Sequence, residues 1–377
     1  MTISNNLIRQ YEMYSQEYEK KVLEVLRSGN YILGNEVKMF EKEWADYIGT
    51  DYCVGVASGL DALWIGLRLL GIKSGDEVIV CSNAYIASVM GITIVGGSPV
   101  FVEPDQYDNI DENKIECAIT PRTKAILAVH LYGQPCNMTK IVDIANRYHL
   151  KVVEDCAQSH GAKWLGKNVG SYGDIGCFSF YPTKVCGGFG DAGCITTNSD
   201  VLANQIRIFR NYGSKNKYQN VCVGANSRLD ELQAGLLRVK LSHLDELIQD
   251  RKAIANRYLN GIKNDLIGLP CIRKEAFQVW HQFVIHVGNN ERDNLKAYLE
   301  SYGIITLIHY PIPPHLSEAY AYLGRKSGDY PIAEQYANEI LSLPIYNGMT
   351  ESEQNYIIRY LNEFCGGECI ERKKTNT

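Results

Sequence analysis

The chain has 377 residues, of which 45% are apolar and 21% are charged, and its formal net charge at pH 7 is -5. This composition is typical of a soluble globular protein, and the length exceeds what one ordinary hydrophobic core needs, so we predict two domains. The balance of charge argues against nucleic acid or an anionic membrane as a partner. Because the net charge is negative, a small anionic ligand would have to be held by individual side chains and backbone N–H groups at its binding site.

The first residues show no basic region followed by an apolar run, and no stretch approaches the roughly twenty apolar residues of a membrane span. We therefore expect a cytoplasmic protein. The 12 cysteines are scattered and form no CxxC pair, which predicts reduced, buried thiols and no metal site. Cys365 and Cys369 are the one close pair, and no histidine lies near them.

Apolar periodicity in the first half of the chain predicts helices that alternate with short strands. Residues 36–48 carry a helical stripe of Val37, Phe40, Trp44, Tyr47 and Ile48. Strands are predicted at residues 53–57, 77–81, 99–102, 125–130, 151–154, 175–181 and 193–197. Strands separated by helix-length segments indicate a mostly parallel sheet that is covered on both faces.

The second half of the chain has a different pattern. A long helix is predicted over residues 229–262, and it leads out of the large domain. Beyond it, we predict strands at 281–287 and 304–308 and helices at 292–301 and 351–363. The predicted units are a large α/β domain over 1–245, a small α+β domain over 246–365 and a disordered tail over 366–377.

Two polar positions follow predicted strands, where open α/β sheets bind their ligands. Ser58 and Gly59 begin a helix whose free N–H groups and dipole suit a phosphate, although a Ser-Gly turn is also an ordinary N-cap. Asp155 comes directly after the strand at 151–154. Its carboxylate could cap a helix, or it could pair with a ring nitrogen and keep a pyridinium protonated.

Lys184 follows the strand predicted at 175–181, along which Ser179 and Tyr181 point to the same face. Lysines near loops are commonly solvated charges. At the carboxyl edge of a sheet, however, an amine can form a Schiff base with an aldehyde cofactor and then act as a proton carrier.

The glycine-rich loop after Lys184 contains a formal GxGxxG from Gly188 to Gly193. A dinucleotide fingerprint needs a helix after these glycines, whereas residues 193–197 are predicted to form a strand. We therefore interpret the glycines as a tight connection that lets the backbone pass close to a bound ring.

Taken together, the motifs resemble those of the sugar aminotransferases of the DegT/DnrJ/EryC1/StrS family, a branch of the aspartate aminotransferase fold, over nearly the whole chain. The matching segments are 31–34 (YILG), 57–59 (ASG), 154–161 (EDCAQSHG), 179–184 (SFYPTK), 210–213 (RNYG) and 226–234 (NSRLDELQA). Their joint order and spacing are specific. The resemblance implies a fold type I transferase that depends on pyridoxal 5′-phosphate (PLP).

The resemblance assigns catalytic roles to Lys184 and Asp155. Lys184 would carry PLP as a Schiff base, and Asp155 would pair with the pyridine nitrogen. Gln158 would donate a hydrogen bond to the phenolic oxygen of the cofactor. The remaining contacts to PLP would come from Ser58, Gly59 and Ser179 at the phosphate, Tyr85 on the ring face, and Asn226. As a residue type alone, Tyr85 is equally suited to filling a core.

In this family the residue at Asn226 reaches the phosphate of the partner's cofactor, so the resemblance implies a homodimer with shared active sites. The sugar-nucleotide side of the site would comprise Tyr181, Tyr212, Lys215, His309 and Tyr310. Each of these is also a common surface or strand-end residue.

The implied reaction moves an amino group from glutamate to the C3 ketone of a dTDP-linked 3-keto-6-deoxyhexose, with PLP cycling through pyridoxamine 5′-phosphate (PMP). The product would serve a surface polysaccharide, such as lipopolysaccharide, O-antigen or S-layer glycan, or a glycosylated metabolite. Tyr181-Pro182 resembles the C3 branch, whereas Val185-Cys186 departs from it.

Three alternatives stay open at this point. One is an aminotransferase acting on C4 of a 4-keto sugar. A second is a PMP-dependent sugar dehydratase, in which a histidine would replace Lys184. The third is a non-catalytic sensor or scaffold, which should have lost Lys184 or Asp155.

Overall fold

The structure, a computed structural model, describes residues 4–367. Its α-helices are α1 Leu7–Glu12, α2 Ser15–Ser28, α3 Asn35–Ile48, α4 Gly59–Leu69, α5 Ile86–Ile94, α6 Met138–Tyr148, α7 Asp200–Phe209, α8 Glu231–Ser242, α9 Leu244–Gly261, α10 Arg292–Ser301, α11 Pro331–Glu339 and α12 Glu351–Glu363. Its strands are β1 Tyr52–Val56, β2 Glu77–Cys81, β3 Ser98–Val102, β4 Thr123–Val129, β5 Lys151–Asp155, β6 Lys163–Trp164, β7 Lys167–Asn168, β8 Ile175–Ser179, β9 Gly193–Thr197, β10 Ser214–Asn216, β11 Gln219–Asn220, β12 Ile267–Gly268, β13 Ala276–Phe277, β14 Phe283–Val287 and β15 Ile340–Leu343.

The main sheet has seven strands in the order β1-β9-β8-β5-β4-β2-β3. Strand β9 runs antiparallel to both of its neighbours, and the pairs from β8 to β3 are parallel. Strands β2 and β9 are buried along their full length, as expected of a sheet covered on both faces. The predicted α/β fold with a mostly parallel sheet is confirmed.

The stripe predicted for α3 packs against the main sheet. Val37, Phe40, Trp44 and Ile48 are buried, and Tyr47 is partly buried. The Trp44 ring makes edge-to-face contacts with the rings of two aromatic residues on the segment that leads to Lys184, with centroid separations of 5.2 Å to Phe178 and 4.9 Å to Phe180. The core therefore fixes the strand from which the lysine loop departs.

A second, antiparallel sheet has the order β12-β14-β15. It packs with α9, α10 and α12 around a separate apolar cluster that includes Tyr258, Phe283 and Leu361. Helices α10 and α12 have the predicted bounds. The prediction of a strand at 304–308 is wrong, because Ile304 and Leu307 form isolated bridges only, the latter with Ser342. Three prolines follow, at 311, 313 and 314, and prolines disfavour a continued strand.

The prediction of one long helix over 229–262 is wrong in its continuity. The segment forms two helices, α8 and α9, which are separated at His243. The His243 ring stacks on Tyr14 with a centroid distance of 3.8 Å, and its Nε2 lies 3.1 Å from Glu17 Oε1. These contacts with the α2 region hold His243 outside helical geometry.

The domain division predicted at residue 245 falls in the first turn of α9. Across this division, β13 pairs with β6. The division stays a prediction, and residues 368–377 of the predicted tail lie outside the described residues.

Most cysteines in residues 4–367 are free and buried, although Cys117, Cys222 and Cys271 are exposed. The prediction of reduced thiols is wrong for Cys365, which is exposed and disulfide-bonded. Cys369 lies outside the described residues. Within residues 4–367, no helix combines the length and the apolar character that crossing a bilayer requires.

Candidate active site

A cavity of about 450 Å³ opens at the carboxyl ends of the central strands. Its size lies in the range of small-molecule binding sites. The predicted site residues that line it are Ser58, Gly59, Tyr85, Asp155, Gln158, Ser179, Tyr181, Lys184, His309 and Tyr310. Residues predicted from separate motifs are thus brought together in one place.

One end of the cavity is built from the start of α4. Ser58 is the N-cap of this helix, and its Oγ accepts a hydrogen bond from the backbone N–H of Asp61 at 3.1 Å. A Cβ added to Gly59 would lie 2.4 Å from Cβ of Ser179, so a side chain does not fit there. The helix N-terminus and the Ser179 hydroxyl therefore share a small space that could hold a phosphate.

Asp155 is the last residue of β5, and only 6% of it is exposed. Its Oδ2 accepts a hydrogen bond from Ser88 Oγ at 2.7 Å, and its Oδ1 accepts one from the backbone N–H of Ala157 at 3.0 Å. A carboxylate held in this way could pair with a protonated ring nitrogen.

Lys184 reaches the cavity by a turn. The strand predicted to extend to Tyr181 ends at Ser179, and a turn follows in which the N–H of Lys184 donates to Tyr181 O at 2.9 Å. Burial lowers the pKa of the Lys184 amine from 10.5 to about 8, against an opposing attraction from Asp155. A larger share of neutral amine is thereby available for nucleophilic attack and proton transfer.

The side-chain amide of Gln158 has a fixed orientation. Its Oε1 accepts a hydrogen bond from the backbone N–H of Tyr132 at 2.7 Å, and its Nε2 donates to the hydroxyl of Tyr310 at 3.1 Å. The Tyr310 ring lies 4.7 Å from that of Tyr85, the N-cap residue of α5. These contacts place one amide donor and two aromatic rings on the same side of the cavity.

Two histidines from the second half of the chain line the cavity. Nδ1 of His309 lies 2.8 Å from Ser342 Oγ, and burial together with the charge of Lys184 lowers the pKa of His309 from 6.5 to about 4. Burial also holds the pKa of His281 well below its usual value, with a smaller contribution from Lys184. Both imidazoles are therefore neutral near pH 7.

Some residues at the cavity were not anticipated from the sequence. His281 and Gln282 line the cavity but lie just before strand β14. A search for polar residues at the carboxyl ends of strands therefore does not find them. Ser88 lies within α5, where a serine gives no local signal of function. Trp280, the residue before His281, adopts a left-handed φ of 55°. This conformation is rare for a large side chain, and no sequence pattern predicts it here.

Asn226, Tyr212 and Lys215 do not line the cavity and are exposed. Asn226 forms an isolated bridge with Asn211, and Lys215 lies in the hairpin of β10 and β11. The structure thus collects these predicted residues on a separate, neighbouring segment of the surface.

A buried group of metal-type side chains, His130, Glu154 and Cys156, has an internal explanation. His130 Nε2 lies 3.1 Å from Glu154 Oε2, and His130 Nδ1 accepts a hydrogen bond from the N–H of Cys136. Glu154 also accepts hydrogen bonds from the backbone N–H groups of Gly170, Tyr172 and Gly173. These contacts anchor a loop beneath the site.

The fold and the cavity define a PLP-dependent aminotransferase. An amine with a lowered pKa, a carboxylate and a helix N-terminus without an obstructing side chain are groups that fit this cofactor. Residues 13–362 match the DegT/DnrJ/EryC1/StrS aminotransferase family, and the chain belongs to it. The predicted family, enzyme class and cofactor are confirmed.

The chain is similar to characterised proteins along most of its length. It is 51% identical, over 95% of this chain and 98% of the relative, to dTDP-3-amino-3,6-dideoxy-alpha-D-galactopyranose transaminase of Aneurinibacillus thermoaerophilus. The structure of S. venezuelae DesV in complex with a ketimine intermediate has a TM-score of 0.93 and 44% identity, covering 96% of this chain and 98% of that chain. The structure of Bacillus subtilis NtdA with bound cofactor PMP has a TM-score of 0.89 and 33% identity, covering 96% and 86%.

Proposed function

We propose that the enzyme transfers an amino group from glutamate to the C3 ketone of a dTDP-linked 3-keto-6-deoxyhexose and releases a dTDP-3-amino-3,6-dideoxyhexose. The observation that carries the proposal is the Lys184 amine, with a pKa of about 8, in one cavity with Asp155. The name of the A. thermoaerophilus relative supports C3 as the position of amination.

PLP, when bound, supplies an electron sink that stabilises negative charge on the substrate carbon. Lys184 would hold the cofactor through its aldehyde group, Asp155 would keep the ring nitrogen protonated, and Gln158 would donate to the phenolic oxygen. The other contacts would be made by Ser58, Gly59 and Ser179 at the phosphate and by Tyr85 on the ring.

Lys184 also moves the proton. When the Lys184 amine is free, its Nζ would act as the general base that takes a proton from the substrate carbon and as the general acid that gives a proton back. Because burial lowers the pKa of Lys184 to about 8, the amine is a competent base and its conjugate acid a competent donor near neutral pH. The same residue can therefore serve both half reactions.

The sugar-nucleotide side of the proposed site contains neutral hydrogen-bonding groups. His309 stays uncharged because its pKa is lowered to about 4, and Ser342 engages its Nδ1, which leaves Nε2 for a sugar hydroxyl. Tyr181 is 51% exposed at the cavity, and Tyr310 lies deeper beside Gln158.

The proposal includes a cytoplasmic homodimer that supplies amino sugars for glycan biosynthesis. The segment that carries Tyr212, Lys215 and Asn226 also exposes Tyr218 and Val223, each at 87%. Exposed apolar side chains around a projecting hairpin are suited to contact with a second copy of the chain. Residues Tyr212, Lys215 and Asn226 would then complete the partner's site.

Parallel incubation of the purified protein with glutamate, PLP and either a dTDP-3-keto or a dTDP-4-keto 6-deoxysugar tests the proposed function. NMR of the products should show amination of the 3-keto substrate, and the visible absorbance of the protein should change on addition of glutamate. Amination of the 4-keto sugar alone would favour the C4 alternative, for which the departure at Val185-Cys186 leaves room. A protein that takes up no PLP would refute the proposal.

A further inference from the structure

The side chain of Ser88 makes an unusual contact for a helical serine. Serine hydroxyls within helices commonly bond to a carbonyl of the preceding turn, as Thr93 on the same helix does with Met90 O at 3.3 Å. Ser88 Oγ instead donates sideways, to Asp155 Oδ2 on strand β5, at 2.7 Å. Both side chains are buried, so water does not compete for this bond.

In the hydrogen bond between Ser88 and Asp155, the Ser88 hydroxyl is the donor. An ionised carboxylate only accepts hydrogen bonds, so the hydroxyl must be the donor. The other oxygen of Asp155 accepts from the N–H of Ala157 at 3.0 Å. One donor from helix α5 and one from the turn after β5 therefore hold the two oxygens, which fixes the plane of the carboxylate.

The first turn of α5 also carries Tyr85, whose backbone carbonyl accepts from the N–H of Ser88 at 3.0 Å. One short stretch of chain thus sets the position of the aromatic ring and the orientation of the Asp155 carboxylate. Resting on the proposed function, we infer that Ser88 is a positioning residue that aligns Asp155 with the ring nitrogen of the cofactor.

Loss of the Ser88 hydroxyl has a definite electronic consequence. A carboxylate that loses a donor becomes more basic and less well oriented. The proton shared between Asp155 and the ring nitrogen then moves toward the carboxylate. The ring becomes less protonated and a weaker electron sink, although the amine of Lys184 is untouched.

The test uses full-length protein reconstituted with PLP that carries ¹⁵N at the ring nitrogen. The comparison is between wild type and three variants, Ser88→Ala, Ser88→Val and Ser88→Thr. Val and Thr are a matched pair, because they have nearly the same volume and only Thr has a hydroxyl. The ¹⁵N chemical shift should report a protonated ring in wild type and Ser88→Thr, and a shift toward the unprotonated value in Ser88→Ala and Ser88→Val. The rate of the glutamate half reaction should fall about tenfold in the latter two, as for loss of one hydrogen bond to a charged group.

Thr93→Val on the same helix is the control, and it should leave the ¹⁵N signal and the rate at wild-type values. Ring protonation that is equal in wild type, Ser88→Ala and Ser88→Val would overturn the inference while leaving the proposed function standing. Absence of PLP binding in the wild type would refute both. Ser88→Ala adds no volume to the core, so it remains informative if Ser88→Val does not fold.

Discussion

The amine of Lys184 and the carboxylate of Asp155 line the same cavity, and the attraction of Asp155 opposes the loss of charge that burial imposes on the lysine. Asp155 is the last residue of β5, and Lys184 lies on the turn that follows β8, the direct neighbour of β5 in the main sheet. Two adjacent strands, together with the turn after one of them, thus place a nucleophile and an anionic partner around one cavity.

Lys184→Ala should abolish turnover while leaving PLP able to bind through its phosphate and ring contacts. The loss should be at least about 10²-fold to 10⁴-fold, the range for removal of a positioned proton-transfer group. Steady-state rates and the visible absorbance of the bound cofactor measure the two effects. Lys240→Met is a matched control, because burial also lowers the pKa of Lys240 to about 8 but this amine lies outside the cavity. Normal turnover by Lys184→Ala would refute its assignment.

The rate at which the apoprotein bonds to PLP should rise with pH through about 8. Only the neutral form of the Lys184 amine attacks an aldehyde, and burial lowers its pKa from 10.5 to about 8. Stopped-flow absorbance of apoprotein mixed with PLP, from about pH 6 to pH 10, measures this profile against the reference value for a free lysine. A midpoint close to 10.5 would contradict the structure.

The buried amine of Lys240 should lower the stability of the apoprotein below pH 8. Its folded-state pKa is about 8 and its ordinary value is 10.5, so the unfolded chain binds more protons between these values and stability rises with pH across this window. Lys240→Met should therefore raise the thermal midpoint at pH 7, and the difference from wild type should shrink as pH approaches 10.5. A constant difference at all pH values would show that the charge is not the cause.

Gly59→Ala should weaken PLP binding and destabilise the fold. The new Cβ would lie 2.4 Å from Cβ of Ser179, and relieving this overlap moves either the start of α4 or the end of β8, at a cost of about 1–3 kcal/mol. Titration of the apoprotein with PLP and thermal unfolding measure the two losses. Gly288→Ala is the control, since nothing lies within 4 Å of a Cβ added there. Equal behaviour of the two variants would contradict the close approach.

The strands of the large domain were predictable because two-residue and helical periodicities alternate clearly and strand ends converge on one edge. Strands β2 and β9 have the predicted bounds, and Ser58, Gly59 and Asp155, which were predicted to follow strands, line the cavity. These features depend on local patterns and on one rule of sheet geometry.

Other features depend on contacts between distant parts of the chain. The break at His243 is held by Tyr14, far away in sequence, and the contact of Ser88 with Asp155 joins a helix to a separate strand. His281 lines the cavity directly after Trp280, which adopts a left-handed φ of 55°. The periodicity of apolar residues carries no information on contacts between distant segments, so the sequence patterns could not predict these features.

Mixing two inactive variants should restore activity if the active sites are shared between subunits. Lys184→Ala removes the amine, and Asn226→Asp would place a negative charge against the cofactor phosphate of the partner subunit. In a mixed dimer one site carries both changes and the other carries neither, so random exchange of subunits should give about a quarter of the wild-type sites. Asn226 is exposed and outside its own cavity, so the variant should fold normally. The measurement is turnover after unfolding and refolding the two proteins together, with separately refolded samples as controls. Activity that stays at the level of those controls would show that each subunit builds its site alone.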